Sequence, residues 1–420
     1  MRSIKRKVAC MQIHKKMGMI FTISLIFSTC VIYLSNTAAI QAESCAGQEW
    51  IKEWQYLNDN TSISRIDYLG TDIYGAGFFG DDSILWQTLV VKWNSSGDVQ
   101  WAVSPITTMG SQFRDICAYG GNIYACGGNE TPGGDVALIV KMDLDGNLLW
   151  NRTLSSSKQS FFWSVWADSD GIFAAGEIEI VYPDYQFILV KYDAAGTYVW
   201  NRTFNPTAFE DNGYSITADS QSIYFSAYYG TTIVKYTKDG TFLWNRTAPS
   251  SIPDGLLLDG SDLFVLSGTL AKRNSDGDVI WEATCSQCNC EGQDLVKVGD
   301  NVVIAGYSYP DYKICVIMAI DNGGTGSFSN YYCTLYNDGF ALGIEYVGDF
   351  YYIQGRNSDS NNMKVILIKT KLLFDNAAPI DYVLIISIVL AVIGGIIGLV
   401  VIHRLYTKRR GKAANVKQEK

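Results

Sequence analysis

The chain has 420 residues, of which 13% are aromatic, with 39 glycines and only 8 prolines; this composition argues against disorder and suits many short strands joined by tight turns. The formal charge of −9 is unevenly spread: residues 1–42 carry six basic and no acidic residues, residues 379–420 carry seven basic and two acidic, and the 43–378 body keeps 20 basic and 40 acidic, a net −20. A body that acidic repels polyphosphate, which excludes nucleic acid as a partner.

Taken in chain order, residues 1–42 read as a secretory signal or an uncleaved signal anchor. They have a basic start, an apolar run from Met17 to Leu34 and small residues before a cut after Ala39 or Ala42. Next comes an isolated strand, QEWIKEWQYL, with Trp54 expected at the tryptophan position of the repeat that follows.

Five phrases then share one spacing: a lysine, a glycine five residues on, and a tryptophan four further. They are Lys92/Gly97/Trp101, Lys141/Gly146/Trp150, Lys191/Gly196/Trp200, Lys235/Gly240/Trp244 and Lys272/Gly277/Trp281. A sixth keeps the spacing as Ala319/Gly324/Phe328, and a seventh, ILIKTKLLF, keeps the strand without the turn. Each is preceded by a hairpin phrase of the type DIYGAGF or NIYACGG. Every unit therefore holds four strands, a to d, with a period of roughly 37–50 residues, the signature of propeller blades. The seventh unit lacks strand d, and the isolated N-terminal strand supplies it. The fold class is all-β: a seven-bladed β-propeller of four-stranded blades over 43–378, with six or eight blades as the alternatives.

After the body, residues 379–403 form one transmembrane helix, since Tyr382–Ile402 contains no charged residue and spans roughly 30 Å as a helix. The basic tail 404–420 follows and stays inside. The expected location is the cell membrane, crossed once, or twice if the signal is uncleaved, with the propeller outside and the tail in the cytoplasm.

The repeats resemble the β-propeller repeats of secreted prokaryotic, especially archaeal, surface proteins. They are also similar to the quinoprotein-type repeat, through MDLDGNLLW (Asp143, Gly146, Trp150) and YDAAGTYVW (Asp193, Gly196, Trp200). The resemblance covers most of 50–375 and implies a fold; propellers host many functions. Quinone-dependent catalysis is set aside because the chain has no Cys-Cys dipeptide, and no cofactor is expected.

The only histidines are His14 and His403, both outside the body, so no histidine triad or histidine metal site can form there. Paired carboxylates remain: Glu210, Asp211, Asp254, Glu291 and Asp338 recur just before strand a, where the d–a loops ring one mouth of the channel. They are read first as turn residues, with a cation site at the mouth or a glycosidase pair as alternatives. Two b–c loops on that face repeat one phrase, Tyr182-Pro183-Asp184-Tyr185 and Tyr309-Pro310-Asp311-Tyr312. These tyrosines suit a glycan or protein contact. The repeat tryptophans, Trp101, Trp150, Trp200, Trp244 and Trp281 with Trp54, are structural.

Eight of ten cysteines lie in the body, which in a secreted chain suggests disulfides. Cys117–Cys126 is expected across an a–b hairpin whose loop is Gly121-Asn122, and Cys315–Cys333 across a c–d hairpin. Cys45, Cys285, Cys288 and Cys290 stay unassigned. Six N-glycosylation sequons stand at Asn60, Asn94, Asn129, Asn151, Asn201 and Asn245.

Three functions follow. The leading one is a non-enzymatic surface module that binds a glycan, peptide or protein. The others are a structural surface glycoprotein and a carboxylate-based hydrolase or lyase.

Overall fold

The computed structural model describes residues 43, 44 and 48–372, apart from the short stretches 58, 82–83, 155–158, 182–183, 205–212, 228–231, 249–253, 285–289, 309, 358 and 360–361. The predicted signal segment and the predicted membrane helix lie outside the described residues, among which no helix is long and apolar enough to cross a membrane.

Seven antiparallel sheets form a β-propeller. Their inner strands are Asn60–Leu69, Gln112–Tyr119, Ser160–Asp168, Gly213–Ala218, Gly255–Asp259, Cys290–Val298 and Phe340–Val347 for blades one to seven. In blades one to six the chain runs outward through strands b, c and d. Blade seven takes its outer strand from the other end of the chain: Gln48–Trp54 pairs antiparallel with Val365–Thr370. The two-residue strand Glu43–Ser44 also pairs parallel with the outer strand of blade six, Gly326–Tyr336. Buried apolar clusters lie between adjacent blades. One joins Ile63, Trp93, Tyr352 and Leu367 across the closing seam of blades seven and one, and another joins Tyr74, Val90, Phe113 and Met142 between blades one and two.

The repeat spacing has a physical cause. Within the c–d pairs of blades one to five the lysine faces the tryptophan: Lys92 faces Trp101, Lys191 faces Trp200 and Lys272 faces Trp281. The register shifts just beside that pair, as at a β-bulge. The turn glycine has positive φ, for example 74° at Gly97, 88° at Gly146 and 78° at Gly196, and its bare Cα lies against the tryptophan of the preceding blade. A Cβ on Gly196 would stand 2.8 Å from Trp150, and one on Gly97 would stand 2.4 Å from Trp50. The Asx residue three places earlier closes the turn: Asn94, Asp143, Asp193 and Asn274 each accept two backbone N–H bonds through Oδ1. The Asp-x-x-Gly of MDLDG is thus a turn.

Lysine and tryptophan both reach the next blade. Lys141 Nζ donates to Ala194 O, Lys191 Nζ to Lys238 O and Lys235 Nζ to Ser275 O, while Trp101 Nε1 donates to Leu144 O. The WNRT phrase belongs to the same latch. Arg152, Arg202 and Arg246 stack on their own Trp150, Trp200 and Trp244, and donate to carbonyls of the next c–d turn.

Three expectations need correction. In the closing strand Trp50, not Trp54, holds the repeat position: it faces Lys369 and packs on Gly97. Trp54 instead packs on Trp93. In blade six Gly326, not Gly324, lies against Trp281, where a Cβ would stand 2.3 Å from the ring. The third concerns Cys117 and Cys126, which are free, buried thiols. The two-residue hairpin loop is Gly120-Gly121, with φ of 60° and 76°, and Tyr119 faces Asn122. A tight hairpin turn with both central residues at positive φ takes two glycines more readily than Gly-Asn. Cys117 therefore faces Tyr124, and Cys126 faces Asp115. Cys315 is disulfide-bonded to a partner outside the described side chains. Cys315 faces Thr334 and Cys333 faces Val316, so the two are not directly opposed.

Candidate functional site

Strand order fixes the two faces. The a–b and c–d turns lie on the lower face, and the d–a and b–c loops on the upper one. Six of the seven inner strands carry a register shift near their upper end, as between Phe113 and Asp115 or Gly292 and Asp294. A bulge at this point turns the next side chain toward the neighbouring blade.

The result is a ring of bonds between blades around the axis. Asp115 Oδ2 accepts from Val165 N at 2.8 Å and from Ser164 Oγ at 2.6 Å. Ser164 Oγ accepts from Ile216 N at 3.2 Å, and Ser215 Oγ from Leu256 N at 3.2 Å. Asp294 Oδ2 accepts from Ile344 N at 3.1 Å, and Asp67 Oδ2 from Ala118 N at 2.6 Å. At two ring positions a glycine stands instead, because the next blade fills the space: Leu295 lies 2.5 Å from a Cβ on Gly255, and Ile66 lies 3.2 Å from one on Gly343.

Arg65 occupies the remaining ring position and crosses the axis. Its Nη1 donates to Leu342 O of blade seven, and its Nη2 to Gln293 O of blade six at 3.2 Å and Asp254 O before blade five at 3.4 Å. One guanidinium thus ties four blades together.

Asp67, Asp115, Asp294 and Glu345 line this channel. Each keeps some surface open to it and is otherwise enclosed by protein. Burial pushes the Asp67 carboxyl up to about 6, helped by Asp115 and Asp294, against N–H bonds from Ala118 and Tyr68. Burial likewise raises Glu345 well above the usual carboxyl range, with Asp67, Asp294 and Asp115 adding to it. It raises Asp115 and Asp294 as well, although Arg65 and N–H donors pull both down. Asp254 is pushed up to about 7 by burial; Arg65 opposes this and Glu291 adds to it. Among the described residues no group of three His, Cys, Asp or Glu is placed to hold a metal ion.

The upper mouth is aromatic. Over blades one to three, Arg114 lies against Trp163 at 5.1 Å, Phe161 at 5.8 Å and Phe78 at 5.9 Å, and Phe78 meets Trp86 edge-on. Over blades six and seven, Phe340 packs on Tyr307 at 4.9 Å and Tyr312 at 5.0 Å, and Arg356 lies over Phe340. Tyr307 donates its hydroxyl to Glu291 Oε2 at 2.7 Å. Burial, then that bond, raises the Tyr307 phenol.

Of the residues singled out by sequence, Tyr312 joins this cluster, and Asp338 is exposed at the entry to the inner strand of blade seven. Asp254 sits between the mouth and Arg65. Tyr185 is half-buried and donates to Gln159 Oε1. Tyr182, Tyr309, Glu210 and Asp211 lie outside the described residues. Of the sequons, Asn151 and Asn245 are exposed on outer strands, whereas Asn60, Asn94, Asn129 and Asn201 are half-buried.

No family model matches the sequence, and no curated protein matches it. Solved structures do. The mitotic checkpoint complex matches at 11% identity with a TM-score of 0.55, over 78% of this chain and 92% of that one. The Neurospora crassa Pan2 WD40 domain matches at 8% identity with a TM-score of 0.50, over 73% and 88%. BamB from Moraxella catarrhalis matches at 12% identity with a TM-score of 0.45, over 75% and 99%. At these identities the likeness is one of fold: this chain is a β-propeller, and nothing in these matches bears on the archaeal surface-protein resemblance.

Proposed function

We propose that this chain is a membrane-anchored, non-enzymatic binding module that holds its ligand at the upper mouth of an extracellular propeller. The observation that carries the reading is the division of labour along the axis. Rings and long side chains gather at the mouth, where contacts with a partner are made, and beneath it Asp115, Asp294 and Asp67 are engaged with N–H groups of neighbouring blades. Carboxyls held in that way are poorly placed for proton transfer to a substrate. The WD40-type neighbours favour a protein or peptide among the ligand classes. The outside location draws on the charge asymmetry of the chain, the uncharged 382–402 stretch with its basic follower, and the sequons.

A panel of surface proteins, peptides and glycans screened against the full-length protein tests this. Hits are expected to weaken with Trp163→Ala or Tyr312→Ala and to ignore changes in the lower turns. Hits insensitive to both mouth variants would contradict it. The hydrolase alternative has one observation in its favour, the raised Asp254 carboxyl beside Glu291; turnover of a glycan in the same panel, abolished by Asp254→Asn, would establish it.

A further inference from the structure

Resting on the upper-mouth reading, we infer that the part over blades six and seven takes a basic segment of a partner protein. A lysine or arginine side chain lies along Tyr307, Tyr312 and Phe340, with its charge against Glu291. The three rings touch one another, with centroids 4.9, 5.0 and 6.3 Å apart. Tyr307 and Tyr312 are tilted by 34° to each other and Phe340 stands edge-on to Tyr307 at 71°, so the rings make one contiguous, angled aromatic surface against which the stem and head of a basic side chain can lie.

The platform is held in place at some cost. Among the described residues, Tyr312 is one of two non-glycine residues at positive φ, 49°. Its N–H donates to Ser308 O at 2.9 Å, and its carbonyl accepts from Gly339 N at 2.6 Å. A tyrosine kept in the left-handed region by bonds on both sides presents its ring, 36% exposed, in one direction.

Charge selects the partner. Glu291 is exposed and holds Tyr307, and Asp254 lies close by. Of the nearby cations, Lys313 pairs with Asp311 at 3.5 Å, and Arg356 lies over Phe340 at 5.5 Å, so the Phe340 face that Arg356 covers is not offered to the partner. Behind the site lies a body of net −20, which draws in basic segments and turns away acidic ones. A neutral sugar could stack on the same rings but would gain nothing from that charge.

The test uses the full-length protein in detergent, titrated calorimetrically with three probes. These are a capped Gly-Arg-Gly-Arg-Gly peptide, its glutamate counterpart and a neutral cello-oligosaccharide. The arginine peptide alone is expected to bind. Its affinity should fall about tenfold with Glu291→Gln and with Tyr312→Ala, survive Tyr312→Phe, and be unchanged by Asp278→Asn, an exposed carboxyl in a lower turn. Equal affinity for all variants would show a diffuse pull of the acidic body and overturn the inference, as would failure of the arginine peptide to bind. Oligosaccharide binding lost with Tyr312→Ala would overturn the basic partner while leaving the mouth as the binding surface. If Tyr312→Ala unfolds, the comparison of Glu291→Gln with Tyr312→Phe still decides.

Discussion

Arg65 and the acids around it show how a single residue type can be structural in one place and costly in another. One guanidinium serves carbonyls of three other blades, while Asp67, Asp115, Asp294 and Glu345 crowd below it. A carboxyl whose folded-state affinity for protons is raised favours the folded state while protonated. That contribution is fully present below the ordinary carboxyl value near 4 and is lost progressively as pH rises from there through the raised value. With Asp67 near 6 and Asp254 near 7, stability should decline as pH rises from about 4 to 7. Thermal melts across that range check the sign, and Asp67→Asn should flatten the slope; a melting temperature that climbs toward pH 7 would contradict it. The buried pair Lys272–Asp321 works in the opposite sense. The ammonium lies 3.0 Å from a carboxyl that also accepts from Trp281 Nε1. Burial disfavours the Asp321 anion, but Lys272 and Trp281 outweigh it and lower its affinity for protons. Lys272→Ala leaves the buried Asp321 carboxylate with the more distant Lys297, at 3.6 Å, as its cation, and should cost about 2 kcal/mol, read by chemical denaturation. The ring positions share one phase of the repeat. Arg65, Asp115, Ser164, Ser215, Gly255, Asp294 and Gly343 each stand eight residues before Ile73, Ile123, Ile172, Ile223, Leu263, Val302 and Tyr351. That phase carries no sign of which way a side chain points, because the bulges that set it leave no fixed residue signature.

At the scale of elements, the c–d turn is the best test of why the repeat exists. Gly196 combines positive φ with contact against Trp150, whereas Gly260, at 62°, has nothing within 4 Å of a Cβ. Gly260→Ala should cost about 1 kcal/mol for backbone conformation alone. Gly196→Ala should cost clearly more, roughly 2–3 kcal/mol, because the Trp150 contact must also give way. Equal losses in denaturant melts would mean that the close approach between blades contributes nothing. The closing strand is the second element under test. Removing 46–58 exposes the seam around Trp93 and Leu367 and unpairs Val365–Thr370, which should cost on the order of 5 kcal/mol. An unchanged melting temperature would contradict the closure. Blade number and closure were legible because lysine, glycine and tryptophan recur at one spacing in the c–d hairpins of blades one to five and the strands on either side complete the count. Registers were less so. Trp50 and Trp54 both fit a strand read by composition, and only pairing with Lys369 tells them apart. The cysteine hairpin failed for a similar reason: a slip of one residue in the loop moves every partner.

For the molecule as a whole, the proposed function puts the closed ring outside the cell, with its aromatic mouth turned to partners. External protease on intact cells should remove the body and leave a small stub bearing the basic tail, and a protected body would contradict that placement. The aromatic mouth was partly legible: the repeated Tyr-Pro-Asp-Tyr phrase pointed to Tyr312. Tyr307 comes from a second strand of its blade and Phe340, Trp163 and Arg114 from inner strands, and only the meeting of different blades brings them to one face. The most direct test of the central claim is hydrogen–deuterium exchange of the full-length protein with and without a ligand from the binding panel. Protection is expected at the upper mouth, around Trp163, Tyr307–Lys313 and Asp338–Leu342. Protection confined to the lower c–d turns, around Asp143–Asn147, Asp193–Thr197 and Thr237–Thr241, would contradict it.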